Sequence, residues 1–359
     1  MGLLKNLIDP PRRVAVVGAG YFSQFHLDGW AQIAGTQVVA LCDTDEMKAT
    51  SLAHRYKIPK VYTTVAEMVA ASSPDLVDVV TPPASHVGVL SDLFKYRLPI
   101  ICQKPFGQNY AQAVALTEAA KASGTPLIVH ENFRFMPCYR EARRLIDAGK
   151  LGDLHGVSFR LRTGDGQGPE AYLDRQPYFQ TMPRLLVAET AIHFIDTFRY
   201  LMGEVSAVYA RLRQLNPVIS GEDAALITFE FTSRAAGVFD GNRLNDHPAI
   251  NPRRTLGEMW LEGSKGVLRL DGDARLWWKP HHGLEAEHIY DRGPENTFGG
   301  GACGALQAHV VQALANHAPF ENTAQDYLRN LLVQEAVYAS HASGQRIVID
   351  SFSATLSHV

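Results

Sequence analysis

The sequence lacks the long apolar run that a membrane span requires. Although 46% of its 359 residues are apolar, no uninterrupted stretch approaches the roughly eighteen residues that cross a bilayer. Residues 1–13 also lack a long apolar core and a small-residue cleavage site, so they do not resemble a secretory signal. We therefore expect a cytoplasmic globular protein, and a chain of this length is expected to form two domains.

Cysteine and excess charge are also scarce. The four cysteines, Cys42, Cys102, Cys138 and Cys303, are widely spaced and form no C-x-x-C pair, which fits a reducing compartment where thiols are small buried groups. The formal net charge of −3 excludes the broad positive field that nucleic acid or an acidic membrane would attract. The histidines form neither an H-E-x-x-H motif nor a Cys/His cluster, so we expect no metal site.

What the sequence does contain is a strand, a glycine turn and a helix near its start. Residues 14–17 are typical of a buried parallel strand, because helices on both faces of such a sheet demand an unbroken apolar run. Gly18 lets the chain reverse, and Gly20 lets backbone N–H groups approach a pyrophosphate at the helix start. The third small position holds Ser23. The motif predicts a dinucleotide site, with an ordinary strand–helix turn as the alternative.

The end of the next strand supports the dinucleotide interpretation. Residues 38–42 lead into Asp43, about twenty residues after Gly20, a spacing at which an acid accepts hydrogen bonds from the adenosine ribose. The charge of Asp43 would repel the 2′-phosphate of NADP, and the next residues, Thr44-Asp45-Glu46, include no arginine. NAD is therefore the expected cofactor. Binding of NADP would require a distant basic residue that compensates for the repulsion between Asp43 and the 2′-phosphate.

From residue 12 to residue 130, short apolar runs alternate with helical stretches. This alternation predicts βαβ units and a doubly wound parallel sheet, whose ligands bind beyond the carboxyl ends of the strands. We therefore predict an α/β fold with an N-terminal Rossmann domain at 1–131. The segments that follow the predicted strands are the candidates for binding: 18–23, Asp43, 81–83, 103–105 and 130–132.

Beyond residue 131 the pattern changes to alternating strands and hairpin signals. Ile227, Phe229 and Phe231 alternate with polar residues, and a Gly-Ser-Lys turn at 263–265 separates two short strands. These features predict an open, mostly antiparallel sheet within an α+β domain at 132–359. A sheet face that is open and rich in Val, Phe and Trp usually meets a partner subunit.

Two ionisable side chains are candidates for proton transfer. Lys104 follows a predicted buried strand and precedes Pro105, so its ammonium could donate to a reacting hydroxyl or carbonyl oxygen. The alternative for Lys104 is a solvated surface lysine. His193, which can exchange protons near neutral pH, is predicted to share a helix face with Glu189 and, nearly, with Asp196. The alternative for this segment is a helix-stabilising pair without chemistry.

Together these motifs resemble the Gfo/Idh/MocA family of nicotinamide-dependent sugar and cyclitol dehydrogenases, along essentially the whole chain. The family pattern D-x-x-x-H-x-x-D corresponds to Glu189, His193 and Asp196. The other matching segments are GAGYFS at 18–23, TPPASH at 81–86, QKP at 103–105, NFRFMP at 132–137 and DYLRNLLVQEAVYASHASGQRI near the C-terminus.

The resemblance implies an oxidoreductase that transfers a hydride between a sugar or polyol hydroxyl and NAD. Lys104 would contact the reacting hydroxyl and His193 would be the acid/base, while Glu189, Arg134 and Asp196 would bind substrate. The open sheet would form a homodimer or homotetramer. The residues expected to bind the cofactor are Gly18, Gly20, Tyr21, Phe22, Asp43, Thr81, Pro82, His86, Gln103, Lys104 and Asn132.

The sequence departs from the family pattern at two positions. Gln103 replaces a glutamate, which removes a charge that would favour the ammonium of Lys104, so we hypothesise that Lys104 is easier to deprotonate. Glu189 replaces an aspartate, and its greater reach favours a small substrate such as a small aldose or branched pentose. The alternatives are a nicotinamide-binding sensor or regulator without turnover, which would be expected to lack Lys104 or His193, and an epimerase- or glycosidase-like enzyme with tightly held NAD.

Overall fold

The computed structural model describes residues 11–295 and 297–356, which form two compact units. The first unit contains the described residues up to Asn132 together with Cys303–Leu328, and the second contains Phe133–Ala302 with the described residues from Arg329 onward. The predicted division at 131/132 placed residues 303–328 in the second domain, whereas they pack within the first unit.

As far as it is described, the first unit contains one sheet of six parallel strands. Their order is β3-β2-β1-β4-β5-β6, a doubly wound order whose reversal beside β1 creates a crevice for ligands. The predicted Rossmann sheet is confirmed. The strands are β1 (Arg12–Val17), β2 (Thr36–Cys42), β3 (Val61–Tyr62), β4 (Leu76–Val79), β5 (Ile100–Gln103) and β6 (Leu127–His130).

The connections between these strands are helical. They are α1 (Ser23–Trp30), α2 (Glu46–Tyr56), α3 (Val65–Ser72), α4 (His86–Phe94) and α5 (Tyr110–Ser123). Asp45, Thr64 and Asn109 start α2, α3 and α5, because each side chain accepts a hydrogen bond from the backbone N–H three residues later. The sequence pattern predicts a helix at 21–34, whereas α1 begins only at Ser23, after the glycine turn, and ends at Trp30.

Within the described residues, a nine-stranded mixed sheet dominates the second unit. Its strands are β7 (Leu154–Arg162), β8 (Val205–Arg213), β9 (Ala224–Phe231), β10 (Ala236–Asn242), β11 (Gly257–Gly263), β12 (Gly266–Leu270), β13 (Leu276–Pro280), β14 (Ala286–His288) and β15 (Ile347–Val348). Their order is β14-β13-β12-β11-β7-β10-β9-β8-β15, and β7 and β10 run parallel. The mostly antiparallel prediction is confirmed, although β8, β10, β14 and β15 were not predicted.

The described part of the chain has five further α-helices: α6 (Pro137–Asp147), α7 (Ile192–Met202), α8 (Ala302–Asn316), α9 (Ala324–Ser343) and α10 (Ile349–Leu356). In the second unit, Phe194 and Phe198 of α7 are buried against Phe159 of β7 and Phe229 of β9. Across residues 11–295 and 297–356, no helix combines the length and apolarity that a membrane crossing needs.

Helix α8 packs on α1 within the first unit through two glycines. A Cβ added to Gly29 would lie 2.9 Å from the Cα atom of Gly304, so a side chain at position 29 would push the helices apart. The close approach also lets Nε2 of Gln307 donate to the carbonyl oxygen of His26 at 3.1 Å. These contacts explain why the segment 303–328 belongs to the first unit.

Candidate functional site

The glycine turn after β1 combines a strained backbone with open space. Gly18 has a φ of +110°, and a Cβ there would lie 2.8 Å from the carbonyl oxygen of Val80, so a larger residue is excluded. Ser23 donates from Oγ to the carbonyl oxygen of Gly18 at 2.9 Å, which ties the turn to the start of α1. A Cβ at Gly20 would meet no atom of the described residues within 4 Å, so a ligand can approach the backbone there.

Asp43, at the end of β2, faces this turn. Its Oδ2 accepts a hydrogen bond from the backbone N–H of Ala19 at 2.7 Å, and its Oδ1 accepts one from the N–H of Asp45 at 2.9 Å. Because each carboxylate oxygen has more than one lone pair, both oxygens retain acceptor capacity for a ligand hydroxyl. The structure therefore brings the predicted acid and the glycine turn together.

The loop after β4 carries Thr81 and, three residues beyond Pro83, His86. Among the described residues, Oγ1 of Thr81 is buried without a hydrogen-bond partner, which marks a place for a ligand or a water molecule. Nε2 of His86 lies 2.9 Å from the carbonyl oxygen of Thr81, and the N–H of Gly107 donates to its Nδ1 at 3.5 Å. Burial lowers the pKa of His86, so the neutral ring supports the loop.

Lys104 directly follows β5, whose last residue is Gln103. Lys104 is half-buried, and its backbone N–H donates to Oε1 of Gln103 at 2.7 Å. The peptide bond to Pro105 is cis. Because β1, β2, β4 and β5 are parallel, their carboxyl ends share one edge of the sheet, and Lys104 therefore shares that edge with the glycine turn, Asp43 and Thr81.

Three other predicted cofactor contacts differ in accessibility. At the start of α1, Tyr21 is 46% exposed and Phe22 is half-buried. Asn132 is buried, and its Nδ2 donates to Sγ of Cys303 at 3.0 Å. Asn132 thus has a protein partner, whereas Tyr21 has a side chain that a ligand can reach.

The first unit also contains a buried polar cluster to which the sequence interpretation assigned no role. Oδ2 of Asp78 accepts hydrogen bonds from His26 Nδ1 at 2.9 Å, Trp30 Nε1 at 2.7 Å and Gln307 Nε2 at 3.2 Å. The ring of His130 stacks on that of His26 at a centroid distance of 3.9 Å. Although burial opposes ionisation, the contacts with His26 and Trp30 keep the pKa of Asp78 below its ordinary value. An aspartate within the apolar strand β4 was the available signal.

In the second unit, His193 lies in the first turn of α7 with its ring stacked on Phe133. The ring centroids are 3.9 Å apart and the planes differ by 4°. His193 is 6% exposed. The imidazole is therefore held in one plane by an aromatic neighbour, which restricts the directions in which its nitrogens can point.

Arg134 and Asp196, which were predicted to bind substrate, bind each other. Nε and Nη2 of Arg134 donate to the two carboxylate oxygens of Asp196 at 2.7 and 2.5 Å, and the carboxylate also accepts from Nδ2 of Asn330 at 2.7 Å. The Asp196 side chain is fully buried. The bidentate pair joins the segment that carries Phe133 to the helix that carries His193, so it holds the stacked rings together.

Glu189 lies in a π-type turn, Leu186–Ala191, that precedes α7. The turn ends with a backbone N–H that donates to the carbonyl oxygen of Val187, five residues earlier, so Glu189 and His193 are not spaced as on a regular α-helix. Oε1 of Glu222 accepts from the N–H of Val187 at 2.9 Å and thereby fixes the start of the turn. The predicted α-helical face is wrong because this distant carboxylate satisfies a wider turn.

A second buried arginine anchors the glycine-rich loop at 163–168 to the same turn. Arg243 donates from Nη1 to Oγ1 of Thr190 at 2.8 Å, from Nη2 to Oδ2 of Asp165 at 2.8 Å and from Nε to the hydroxyl of Tyr172 at 2.7 Å. Burial would raise the pKa of Asp165, but the charge of Arg243 holds it below its ordinary value. Sequence reasoning missed Arg243, since its partners come from distant segments.

Comparison with known proteins assigns both parts of the chain to one family. Residues 12–131 match the model described as an oxidoreductase family with an NAD-binding Rossmann fold. Residues 139–269 match the model of the GFO/IDH/MocA C-terminal domain.

Individual relatives extend along nearly the whole chain. A D-apiose dehydrogenase of Paraburkholderia graminis is 31% identical over 95% of this chain and 90% of its own length. A D-apiose dehydrogenase of Rhizobium rhizogenes is 26% identical over 93% of this chain and 96% of its own length. The crystal structure of an oxidoreductase from Agrobacterium radiobacter in complex with NAD+, L-tartaric acid and magnesium has a TM-score of 0.86 and 25% identity, covering 95% of this chain and 99% of that one.

Proposed function

The chain belongs to the Gfo/Idh/MocA family of oxidoreductases, and from this premise we propose that it oxidises a hydroxyl group of a small branched aldose, related to D-apiose, with NAD. The observation that carries the substrate class is the 31% identity to a D-apiose dehydrogenase over 95% of this chain. The sequence interpretation, which derived a small aldose or branched pentose from the length of Glu189, is compatible with this class.

The first unit supplies groups that fit a dinucleotide. The open approach to the backbone at Gly20 suits a pyrophosphate, and the carboxylate of Asp43 suits the two hydroxyls of the adenosine ribose. The buried hydroxyl of Thr81, without a partner among the described residues, offers a further hydrogen bond. Because Asp43 is negatively charged, NAD is preferred over the 2′-phosphorylated NADP.

The proposed mechanism divides the work between two side chains. Bound NAD supplies the hydride acceptor. As the hydride leaves carbon, the hydroxyl must lose its proton, and we assign contact with the hydroxyl oxygen to Lys104 and removal of the proton to His193. The stacked Phe133 and the Arg134–Asp196 pair keep His193 oriented for that transfer.

The binding of the sugar is assigned to Glu189. Its side chain is half-buried in the turn that precedes α7, and a carboxylate accepts hydrogen bonds from sugar hydroxyls. Arg134 and Asp196 are assigned to orientation of His193 because they bind each other.

Turnover with a panel of sugars tests the reaction. Purified protein is mixed with NAD and with branched aldoses, linear aldoses, polyols or cyclitols, and NADH absorbance is followed; D-apiose is expected to give the highest kcat/KM. Lys104→Met is expected to lower kcat by about 10²- to 10⁴-fold while NAD still quenches the intrinsic fluorescence. Lys121→Met, an exposed change at the end of α5, is the matched control. Full activity of Lys104→Met would refute the mechanism.

Cofactor competition tests the role of Asp43 separately. The protein is expected to have a higher kcat/KM with NAD than with NADP. Asp43→Ser is expected to lower the ratio of the kcat/KM with NAD to that with NADP. Asp45→Ser removes a neighbouring acid whose Oδ1 caps α2 by accepting from Lys48 N–H, so it should leave the ratio nearly unchanged. A preference of the unmodified protein for NADP would rule out the assigned role.

The predicted homodimer or homotetramer also remains a proposal. Tyr209 on β8 and Leu226 on β9 are 37% and 48% exposed, and these strands are neighbours in the open sheet. Light scattering during size-exclusion chromatography should give a mass of two or four chains, and replacement of both side chains by serine should reduce it.

A further inference from the structure

The side-chain amide of Gln103 connects Lys104 to the buried cluster around Asp78. Gln103 is 7% exposed, with Oε1 2.7 Å from the backbone nitrogen of Lys104 and Nε2 3.4 Å from Nε2 of His26. On the other side of the ring, His26 Nδ1 lies 2.9 Å from Oδ2 of Asp78. Three hydrogen bonds therefore run in series from the backbone of Lys104 to a fully buried carboxylate.

The direction of every hydrogen bond in this series follows from the backbone. Since a backbone N–H can only donate, the Gln103 atom that faces Lys104 must be the carbonyl oxygen. The NH₂ group of Gln103 then faces His26 and donates, so Nε2 of His26 must present a lone pair. The ring proton is therefore on Nδ1, from which it is donated to Asp78.

The other groups around His26 are compatible with a neutral ring. His130 of β6 stacks on it, and burial lowers the pKa of His130 well below its ordinary value. Asp78 of β4 is the anion that faces His26, and it also accepts from Trp30 and from Gln307 of α8. The ring of Phe22 is an apolar neighbour, packed edge-to-face with the ring of His26 at a centroid distance of 5.7 Å.

We propose that Gln103 is a positioning residue that fixes the backbone of Lys104 and keeps His26 as the neutral Nδ1–H tautomer. Only its effect on turnover rests on the proposed function of Lys104. This role differs from the hypothesis that Gln103 alters the pKa of the Lys104 ammonium, because the two polar ends of the amide are directed at the Lys104 backbone and at His26.

Gln103→Glu separates the two parts of this role. A glutamate oxygen can still accept from the N–H of Lys104, but an ionised carboxylate cannot donate to Nε2 of His26. That nitrogen must then gain a proton, which leaves an imidazolium between the carboxylates at positions 103 and 78. The substitution therefore changes the protonation of His26 while the contact with Lys104 is retained.

Nuclear magnetic resonance of ¹⁵N-histidine-labelled protein, without cofactor, tests the tautomer directly. The His26 signals are assigned by their loss in His26→Gln, and spectra are recorded from about pH 5 to pH 8. We expect one protonated nitrogen, Nδ1, and one bare nitrogen, Nε2, throughout this range, and an imidazolium at neutral pH in Gln103→Glu. An Nε2–H tautomer or an imidazolium of His26 in the unmodified protein overturns the proposal.

Gln103→Met tests the positioning of Lys104. Methionine keeps the length of the side chain but removes both hydrogen bonds, and a small displacement of a catalytic group is expected to lower kcat by about 10- to 100-fold with little change in KM for the sugar. Gln112→Met is the matched control, since Oε1 of Gln112 accepts a backbone N–H from Gln108 at 2.7 Å elsewhere in the same unit. Full activity of Gln103→Met overturns the positioning role.

The two experiments also separate this proposal from the proposed function. If no sugar is oxidised by the unmodified protein, the proposed function fails, whereas the spectrum of His26 still decides its tautomer. If sugars are oxidised and His26 carries its proton on Nε2, the proposed function stands and the role of Gln103 fails.

Discussion

Both units contain fully buried aspartates, and Asp78 of the first unit and Asp196 of the second are stabilised in opposite ways. In the first unit, Asp78 accepts from two ring N–H groups, those of His26 and Trp30, and from an amide. In the second unit, Asp196 is bound through both oxygens by the guanidinium of Arg134. With His26 neutral, as we propose, the first cluster keeps a net negative charge, whereas the second is an ion pair.

The difference shows how a buried carboxylate can position a neighbouring group by two routes. Hydrogen bonds among neutral groups are compatible with only one tautomer, and in the first unit the Nδ1–H tautomer that we propose for His26 matches the orientation of the Gln103 amide beside Lys104. A bidentate ion pair acts as a clamp between segments, and in the second unit it holds the ring of Phe133 against His193. The first arrangement is sensitive to protonation of a histidine, and the second is not.

Loss of the arginine of the ion pair should have the largest effect. Arg134→Met leaves the carboxylate of Asp196 buried without its cation, so the free energy of unfolding of the second unit is expected to fall by about 3–5 kcal/mol. Urea denaturation followed by circular dichroism measures this loss.

A double variant sharpens the same comparison. Arg134→Met combined with Asp196→Leu removes both charges, so the protein should be more stable than with Arg134→Met alone. A double variant that is less stable than either single variant would show that the uncompensated charge of Asp196 is not the cause of the loss in Arg134→Met.

Loss of the charge in the first unit should have a smaller effect. Asp78→Asn keeps a carbonyl oxygen that can accept a hydrogen bond from His26 or Trp30, and it leaves no buried cation without a partner. The free energy of unfolding is therefore expected to fall by about 1–3 kcal/mol. The same denaturation measurement applies. A loss as large as that of Arg134→Met would mean that His26 is a cation and that the two clusters are alike.

The pH dependence of stability should differ between the clusters. Burial lowers the pKa of His130 well below 6.5, so its contribution is fully present above pH 6.5 and declines as the pH falls, by up to about 1.4 kcal/mol per pH unit. His130→Phe should flatten this decline between about pH 6.5 and pH 5, while His155→Phe, an exposed change on β7, should not. An unchanged slope in His130→Phe would place the titrating group elsewhere, and His86, whose pKa burial also lowers, is the next candidate.

The smallest effect is expected for an ion pair of the same geometry at the surface. Arg346 donates to both oxygens of Glu230 at 2.6 Å, but the two side chains are 51% and 53% exposed. Arg346→Met should therefore change the free energy of unfolding by no more than the error of the measurement. A loss comparable to that of Arg134→Met would mean that geometry, not burial, gives the buried pair its strength.

The Rossmann sheet and its binding edge were predictable because their signals are local. Each signal occupies only a few consecutive residues: an apolar run, a turn in which only glycine fits at position 18, and an acid after the second strand. The strand alternation and the hairpin signal beyond residue 131 predicted the second sheet in the same local way. The roles of Lys104 and His193 remain predictions, since their geometry toward a substrate requires the bound complex.

The sequence by itself determined the local backbone features of the first unit: the alternation of strands and helices, the glycine turn and the positions at which Asp43 and Lys104 follow their strands. Only the tertiary structure decided which side chains became partners. Gln103 meets His26, and Arg134 meets Asp196, across long separations in the chain. The physical reason is that periodicity and turn propensity act over neighbouring residues, whereas a buried polar group must bind whichever complementary group the packing places beside it.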